Sequence, residues 1–183
     1  MAGAYAAMTA RLAAPNNPSL FVLGYDKGRT RVTDLIVVPN HFFTPSIIEP
    51  RKPLGPHARR AGWQGCNILI GDVPAAGRIP LIRAGVSTPR AEVLDRWRAT
   101  LFLRDAALTM RGWLLDVMKC VEDHTARTGR PDFTLADIYA FEARLSALYP
   151  ANNNVRPKIR QQLQVLRDRG WIVFDGRGRY RRA

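Results

Sequence analysis

The sequence predicts an α/β chain of the α+β kind, with strands dominating residues 1–104 and a helix–helix–helix–hairpin series filling residues 105–183. Three observations carry this. β-branched and aromatic runs separated by turn residues fill much of the first part. Beyond Arg111 the apolar residues recur at helical spacing. Positive charge then gathers at the C-terminal end, on one helix and the hairpin after it. A length of 183 residues suits one moderate domain or two small ones, and a hydrophobic fraction of 46% is that of a globular protein. No apolar run approaches the ~18 residues of a membrane span, and Arg11 interrupts the N-terminal apolar stretch, so a secretory signal is not expected.

In order along the chain, Ser19–Tyr25 and Arg31–Val38 are apolar runs around Asp26-Lys27-Gly28, the pattern of a hairpin that Pro39 ends. Residues 44–66, rich in Pro, Gly and Arg, have neither period and read as a long surface loop or a linker. Strands are expected at Asn67–Ile70 and Arg78–Arg83, and a helix from Pro89 to about Phe102 with Ser87 or Thr88 as its cap. Arg104–Met110 reads as a junction.

The next helix is expected from about Arg111, with Trp113, Leu114, Val117, Cys120 and Val121 on its core side and a break at Gly129-Arg130-Pro131. Thr134 followed by Asp137 is a capping-box pattern, and Leu135, Ile138, Phe141, Leu145 and Leu148 continue it as one helix. Asn154 is the expected N-cap of the third helix, with Pro157 tolerated in its first turn. Val155, Ile159, Leu163 and Leu166 form its core stripe. Gly170 closes it, and Trp171–Phe174, Asp175-Gly-Arg-Gly178 and Arg179–Arg182 read as strand, turn and strand.

The net charge of +13 attracts polyanions. Nine Lys and Arg against two Asp fall in Arg156–Ala183, so +7 of the total sits there. With its core stripe turned inward, the third helix leaves Arg156, Lys158, Arg160, Gln161, Gln164, Arg167 and Arg169 for the other side. Glutamine amides pair with adenine N6/N7, and arginine pairs with guanine O6/N7 or with phosphate. Arg177, Arg179 and Arg181 lie at the hairpin tip and on its return, where phosphate is their expected target. A helix-turn-helix with a basic wing accounts for this arrangement, and double-stranded DNA is the partner it implies.

Arg59, Arg60 and Trp63 share a glycine-flanked loop. The arginines there contact phosphate or are merely solvated, and the tryptophan stacks on a base or plugs a core; the residues alone fit both readings. Cys66 and Cys120 are isolated, and His41, His57 and His124 follow no ligand spacing, so neither residue type marks a metal site. Two lone cysteines fit a reducing cytoplasm. Metal-dependent DNA cleavage needs converging carboxylates and usually a lysine. The first part offers Asp26, Asp34, Glu49, Asp72, Glu92, Asp95 and Asp105, and no Asp-x-Lys or Glu-x-Lys triplet occurs anywhere. No catalytic residue is therefore assigned.

Beyond these patterns, the sequence resembles the DpnI/Dam-replacing family of methyl-directed type II restriction endonucleases over essentially its whole length. The matching segments are Gly3-Ala-Tyr5, Asn16-Asn-Pro18, Pro39 with Phe42, Arg51-Lys-Pro-Leu54, Ala58-Arg-Arg-Ala-Gly-Trp63, Gly65-Cys-Asn67, Gly77-Arg-Ile79, Leu101-Phe-Leu-Arg104, Arg111-Gly-Trp113, Lys158–Asp168 and Gly176-Arg-Gly178. The resemblance implies a PD-(D/E)xK nuclease-type domain over residues 1–104, incomplete here, joined to a winged helix over 105–183. It also implies that both parts recognise GATC carrying N6-methyladenine, with Trp63 as the methyl-reading residue. Family members carry an Asp, a Glu-x-Lys and zinc-binding cysteines upstream of the segment matching Gly3. Magnesium and structural zinc are thus expected only for full-length members, and no metal ligand is assigned here. An internally started gene, a split or decayed gene, or a shortened reader would explain the difference. The resulting expectation is a reader of methylated GATC; the alternatives are the C-terminal part of a longer magnesium-dependent endonuclease and, more weakly, a winged-helix transcriptional regulator. The family implies a monomer near the bacterial nucleoid.

Overall fold

A computed structural model describes residues 4–14 and 16–183; Gly3 of the first family segment lies outside the described residues. The chain divides into two compact units, Met1–Leu108 and Thr109–Ala183.

In the first unit, α1 (Tyr5–Ala13) is followed by the expected hairpin, β1 (Leu20–Asp26) and β2 (Arg31–Val38), paired antiparallel with a bulge after Gly24. Asp26 shapes the turn, its Oδ1 accepting from the Arg29 amide at 3.1 Å. β5 (Ile79–Arg83) and β6 (Val86–Ser87) complete a four-stranded antiparallel sheet in the order β1-β2-β5-β6. Val37, Val38, Phe42, Phe43, Ile47, Ile48, Val73, Ile79 and Leu103 form its core.

Expectations for the middle of this unit need correction. Residues 44–66 are neither plain loop nor linker: a 3-10 turn at Pro45–Ile47 leads into β3 (Ile48–Pro50), which pairs antiparallel with β4 (Cys66–Ile68). A three-residue strand ending in proline carries too little alternation to be read from sequence, yet Ile47 and Ile48 are both buried and anchor it. Strand β4 also ends at Ile68, before a 3-10 turn at Ile70–Asp72. The helix expected to reach Phe102 is α2 (Arg90–Arg98), and Pro89 rather than Ser87 or Thr88 occupies its N-cap. Ser87 belongs to β6, and the Thr88 amide donates to Leu81 O at 2.9 Å, so both are committed to the sheet. Thr100 ends the helical run: its hydroxyl donates to Trp97 O and lies 3.0 Å from Nε2 of buried His41, and a 3-10 turn at Leu101–Leu103 then buries Leu103.

In the second unit α3 (Leu108–Thr128) starts earlier than expected and buries all five predicted core residues, Trp113, Leu114, Val117, Cys120 and Val121. Burial pushes the Cys120 thiol up to about 12, as for a packed rather than reactive cysteine. Gly112 admits a close neighbour: a Cβ there would lie 2.9 Å from the Tyr149 hydroxyl, which donates to Asp116 Oδ2 at 2.5 Å while its ring stacks on Trp113 at 4.0 Å. This close approach explains the Arg111-Gly-Trp113 segment. Burial first, and then the Asp116 charge, raise the Tyr149 phenol above its ordinary range.

Gly129 takes φ +67 at the break, and β7 (Asp132–Thr134) follows, a strand that the expected helix–helix–helix–hairpin series lacks. The capping box is present: Thr134 Oγ1 accepts from the Asp137 amide at 3.3 Å, and Asp137 Oδ2 accepts from the Thr134 amide at 2.7 Å. Those Thr134 bonds hold the Asp137 carboxyl below its ordinary value. The expected single helix is split into α4 (Leu135–Tyr139) and α5 (Glu142–Leu148). Ile138 and Leu145 are buried as the stripe requires, but Leu148 is exposed and the Phe141 ring faces the Arg127 guanidinium at 5.8 Å. Asp123 ties α3 to α5 by accepting from Lys119 and Arg144, each at 2.7 Å. Burial opposes the charge on Asp123, yet the two cations outweigh it and hold the carboxyl below the usual range.

α6 (Val155–Asp168) packs on both α4 and α5 through Val155, Ile159, Leu163 and Leu166, the predicted stripe. Asn154 is at the N-cap but makes no side-chain cap; its amide donates instead to Asn152 Oδ1 at 2.8 Å. β8 (Ile172–Gly176) and β9 (Arg179–Arg182) form the C-terminal hairpin, and β7 joins its β9 edge, giving the order β7-β9-β8. Helix, strand, helical pair, helix and two-stranded wing together make a winged helix-turn-helix.

Candidate nucleic-acid interface

Helix α6 can face outward because its core stripe satisfies one side only. Arg156, Arg160, Gln161, Gln164 and Arg167 are exposed, and Lys158 is half-buried. Arg156, Arg160, Gln161 and Gln164 converge with Pro157 and Tyr139 on a concavity of about 440 Å³. Tyr139, on α4, escaped the sequence reading because its neighbours in the chain are apolar and its partners lie on another helix. It places an aromatic face 5.2 Å from the Arg156 guanidinium and its hydroxyl 3.3 Å from Arg160 Nη2.

The two glutamines differ. The Gln161 amide oxygen accepts from Lys158 Nζ at 2.9 Å and from Gln162 Nε2 at 3.4 Å. Gln164 makes no side-chain hydrogen bond among the described residues, so its amide is ready for an outside partner. Gln162, beside the core stripe, is fully buried. Lys158 and Arg167 are outside the concavity, and Arg167 donates to Asp168 at 2.8 Å.

At the wing, Arg177 takes φ +49 between Gly176 (φ +86) and Gly178 (φ +74), a tight turn in which the flanking glycines accept the left-handed conformation without strain. Arg177 and Arg179 are exposed and make no ion pair among the described residues, whereas Arg181 lies 3.5 Å from Asp175. Arg182 folds over the Trp171 ring at 5.3 Å and lies 3.9 Å from Glu122, so it braces the wing base.

In the first unit the β3–β4 pairing continues outward. The Arg51 amide donates to Gly65 O and the Leu54 amide to Trp63 O, both at 2.9 Å, and the Gly62 amide donates to Leu54 O at 3.0 Å. The family segments Arg51–Leu54, Ala58–Trp63 and Gly65–Asn67 are therefore one hairpin. Arg59 and Arg60 are exposed at its tip. Trp63 is half-buried opposite Leu54, where the two strands enter that tip, and its ring is so close over Gly65 that a Cβ there would lie 3.0 Å away. The Tyr5 amide anchors the return strand by donating to Gln64 O at 2.9 Å.

Both cysteines are buried and neither is in a disulfide, and among the described residues no three His, Cys, Asp or Glu converge as a metal site requires. Glu49, on β3 of this hairpin, accepts from Asn67 Nδ2 at 3.0 Å across the β3–β4 pair. No described helix is long and apolar enough to cross a membrane.

Comparison with known proteins gives two matches. Residues 1–106 match the family described as DpnI, Dam-replacing family, and residues 109–182 match the Dam-replacing HTH domain.

Proposed function

The chain belongs to the DpnI, Dam-replacing family, and from that premise we propose that it binds duplex DNA at GATC sites carrying N6-methyladenine. DNA binding and a restriction-type role are what the family and its helix-turn-helix suggest. The observation that carries it is the α6 concavity, where two arginines and two glutamines converge on the exposed side of a helix-turn-helix. Gln164, with its amide free, is assigned to adenine N6/N7 in the major groove. Arg160 and Arg167 go to the flanking phosphates, and Lys158 holds Gln161 in place. Arg177, Arg179 and Arg181 reach phosphate from the wing. Arg59, Arg60 and Trp63 form a second contact, the arginines on phosphate and the ring against the methylated base.

Magnesium-dependent cleavage and structural zinc, which the family implies, find no matching donor set in the described residues, and the sequence has no Asp-x-Lys or Glu-x-Lys triplet. No hydrolytic step is assigned to these residues.

Fluorescence anisotropy tests the reading, with the chain titrated onto GATC duplexes methylated on both strands or on neither, at matched salt. Tighter binding to the methylated duplex is expected; equal affinity overturns the methyl part of the proposal. Replacing Arg177 and Arg179 by alanine should weaken binding to both duplexes alike. It should also lower the slope of log K against log salt by about one for each phosphate no longer neutralised. A loss confined to one duplex would show that the wing reads bases instead.

A further inference from the structure

The sequence treats Arg156 as one more cation on α6, but the structure gives it a carboxylate. Arg156 Nε donates to Glu142 Oε2 at 2.8 Å, from a helix that packs on α6, and the Arg156 guanidinium lies over the Tyr139 ring at 5.2 Å. Arg160 sits one helical turn on and donates to the Tyr139 hydroxyl at 3.3 Å. Two arginines at the mouth of one groove are thus held by one tyrosine, and one of them is neutralised.

We propose that Glu142 is a built-in competitor for Arg156, occupying the place that a DNA backbone phosphate takes when a duplex docks, and that Tyr139 is the positioning residue that keeps Arg156 and Arg160 aimed at that phosphate. The inference rests on the DNA-binding reading above and adds a regulated phosphodiester site to it. A carboxylate oxygen accepting from an arginine Nε–H has the geometry of a phosphate oxygen doing the same, so one can replace the other without moving the guanidinium. The pair is exposed on both sides, with Arg156 at 60% and Glu142 at 38%, and such pairs hold weakly against a competing anion. The tyrosine ring stays beneath the guanidinium through the exchange, because a cation–π contact does not depend on which anion the edge of the guanidinium meets. The consequence is restraint. The free protein presents one positive charge fewer to arbitrary polyanions, and the full set appears only when a phosphate is delivered at the right place.

The test uses the full chain and three variants, Glu142→Gln, Tyr139→Phe and Tyr139→Ala, with two readouts. The first is anisotropy on the unmethylated duplex across a salt series. Glu142→Gln should bind about three- to tenfold more tightly and steepen the salt slope by about one unit. Tyr139→Phe, which keeps the ring under Arg156, should retain most of the wild-type affinity, whereas Tyr139→Ala loses it at unchanged melting temperature. The second readout needs no DNA: the Nε–H resonances of Arg156 and Arg160 titrated with inorganic pyrophosphate. In Glu142→Gln the Arg156 signal should shift at lower pyrophosphate than in the wild type. Unchanged affinity and slope in Glu142→Gln, together with identical Arg156 titrations, overturn the competition. Tyr139→Ala and Tyr139→Phe behaving alike overturn the positioning role. If the wild type binds no duplex at all, the DNA reading has failed, and the pyrophosphate titration still decides whether Glu142 guards an anion site.

Discussion

Replacing Trp63 by alanine should cut the preference for methylated over unmethylated GATC while leaving affinity for the unmethylated duplex within about twofold. The size follows from the interaction proposed. An aromatic face against a base contributes about 1–3 kcal/mol, and such a difference corresponds to roughly 5- to 150-fold in relative affinity. The selectivity of this effect follows from where the residue sits. Trp63 stands in the β3–β4 hairpin of the first unit, at a half-buried position over Gly65, whereas the proposed phosphate contacts of α6 and the wing belong to the second. Hairpin shape is set by main-chain bonds at Arg51, Leu54 and Gly62 that do not use the indole. Truncating the ring therefore removes a binding surface and leaves its frame. Trp63→Phe should recover part of the discrimination. Paired titrations on the two duplexes check this; discrimination that survives Trp63→Ala intact would show that the ring only shields Gly65.

What could be read without coordinates was whatever repeats or uses residues with narrow tastes. The α6 stripe of Val155, Ile159, Leu163 and Leu166 spans three turns, and its periodicity specifies one face. Thr134 and Asp137 form a reciprocal pair within four residues, so nothing distant can undo it. Long-range partnerships were illegible. The strand at Asp132–Thr134 exists because Arg179–Arg181 lies beside it, and three residues have no period of their own. The end of α2 was misplaced because a histidine far away in sequence, His41, meets Thr100 inside the core. The same limit hid part of the candidate interface. Which cations faced outward followed from the stripe, but that Lys158 occupies Gln161, that Glu142 occupies Arg156 and that Tyr139 serves two arginines are all facts of side chains meeting across a turn or between helices.

The largest stability loss is expected from the smallest substitution, Gly77→Ala in the first unit. A Cβ at Gly77 would fall 2.6 Å from Phe42 Cε1, 2.5 Å from Cγ and nearer still to Cδ1, well inside van der Waals contact. The ring has nowhere to retreat. Phe42 is fully buried, its amide donates to Pro39 O at 2.9 Å, and Val38, His41, Phe43 and Ile79, its close neighbours in the chain or the core, are each no more than 4% exposed. Overpacking of this kind costs about 3 kcal/mol, against a total of roughly 5–15 kcal/mol for a domain, and should lower the melting temperature of the first unit by roughly 10–20 °C. Amide hydrogen exchange assigns the loss, since protection should fall at Val37, Val38 and Ile79 and persist at Leu163 and Leu166. A second-site change separates crowding from any other defect: Gly77→Ala with Phe42→Leu should be more stable than Gly77→Ala alone, because a shorter side chain frees the space the methyl needs. An unchanged melting temperature in Gly77→Ala would mean that the backbone yields there at little cost. The close fit also bears on recognition. Phe42 leads through Phe43 and Ile47 into β3, and β3 carries the Trp63 hairpin, so a ring displaced by the alanine disturbs the frame that holds the indole. Two family segments far apart in sequence, Pro39 with Phe42 and Gly77-Arg-Ile79, then answer to one physical demand: a glycine whose missing side chain leaves the space that the buried Phe42 ring fills.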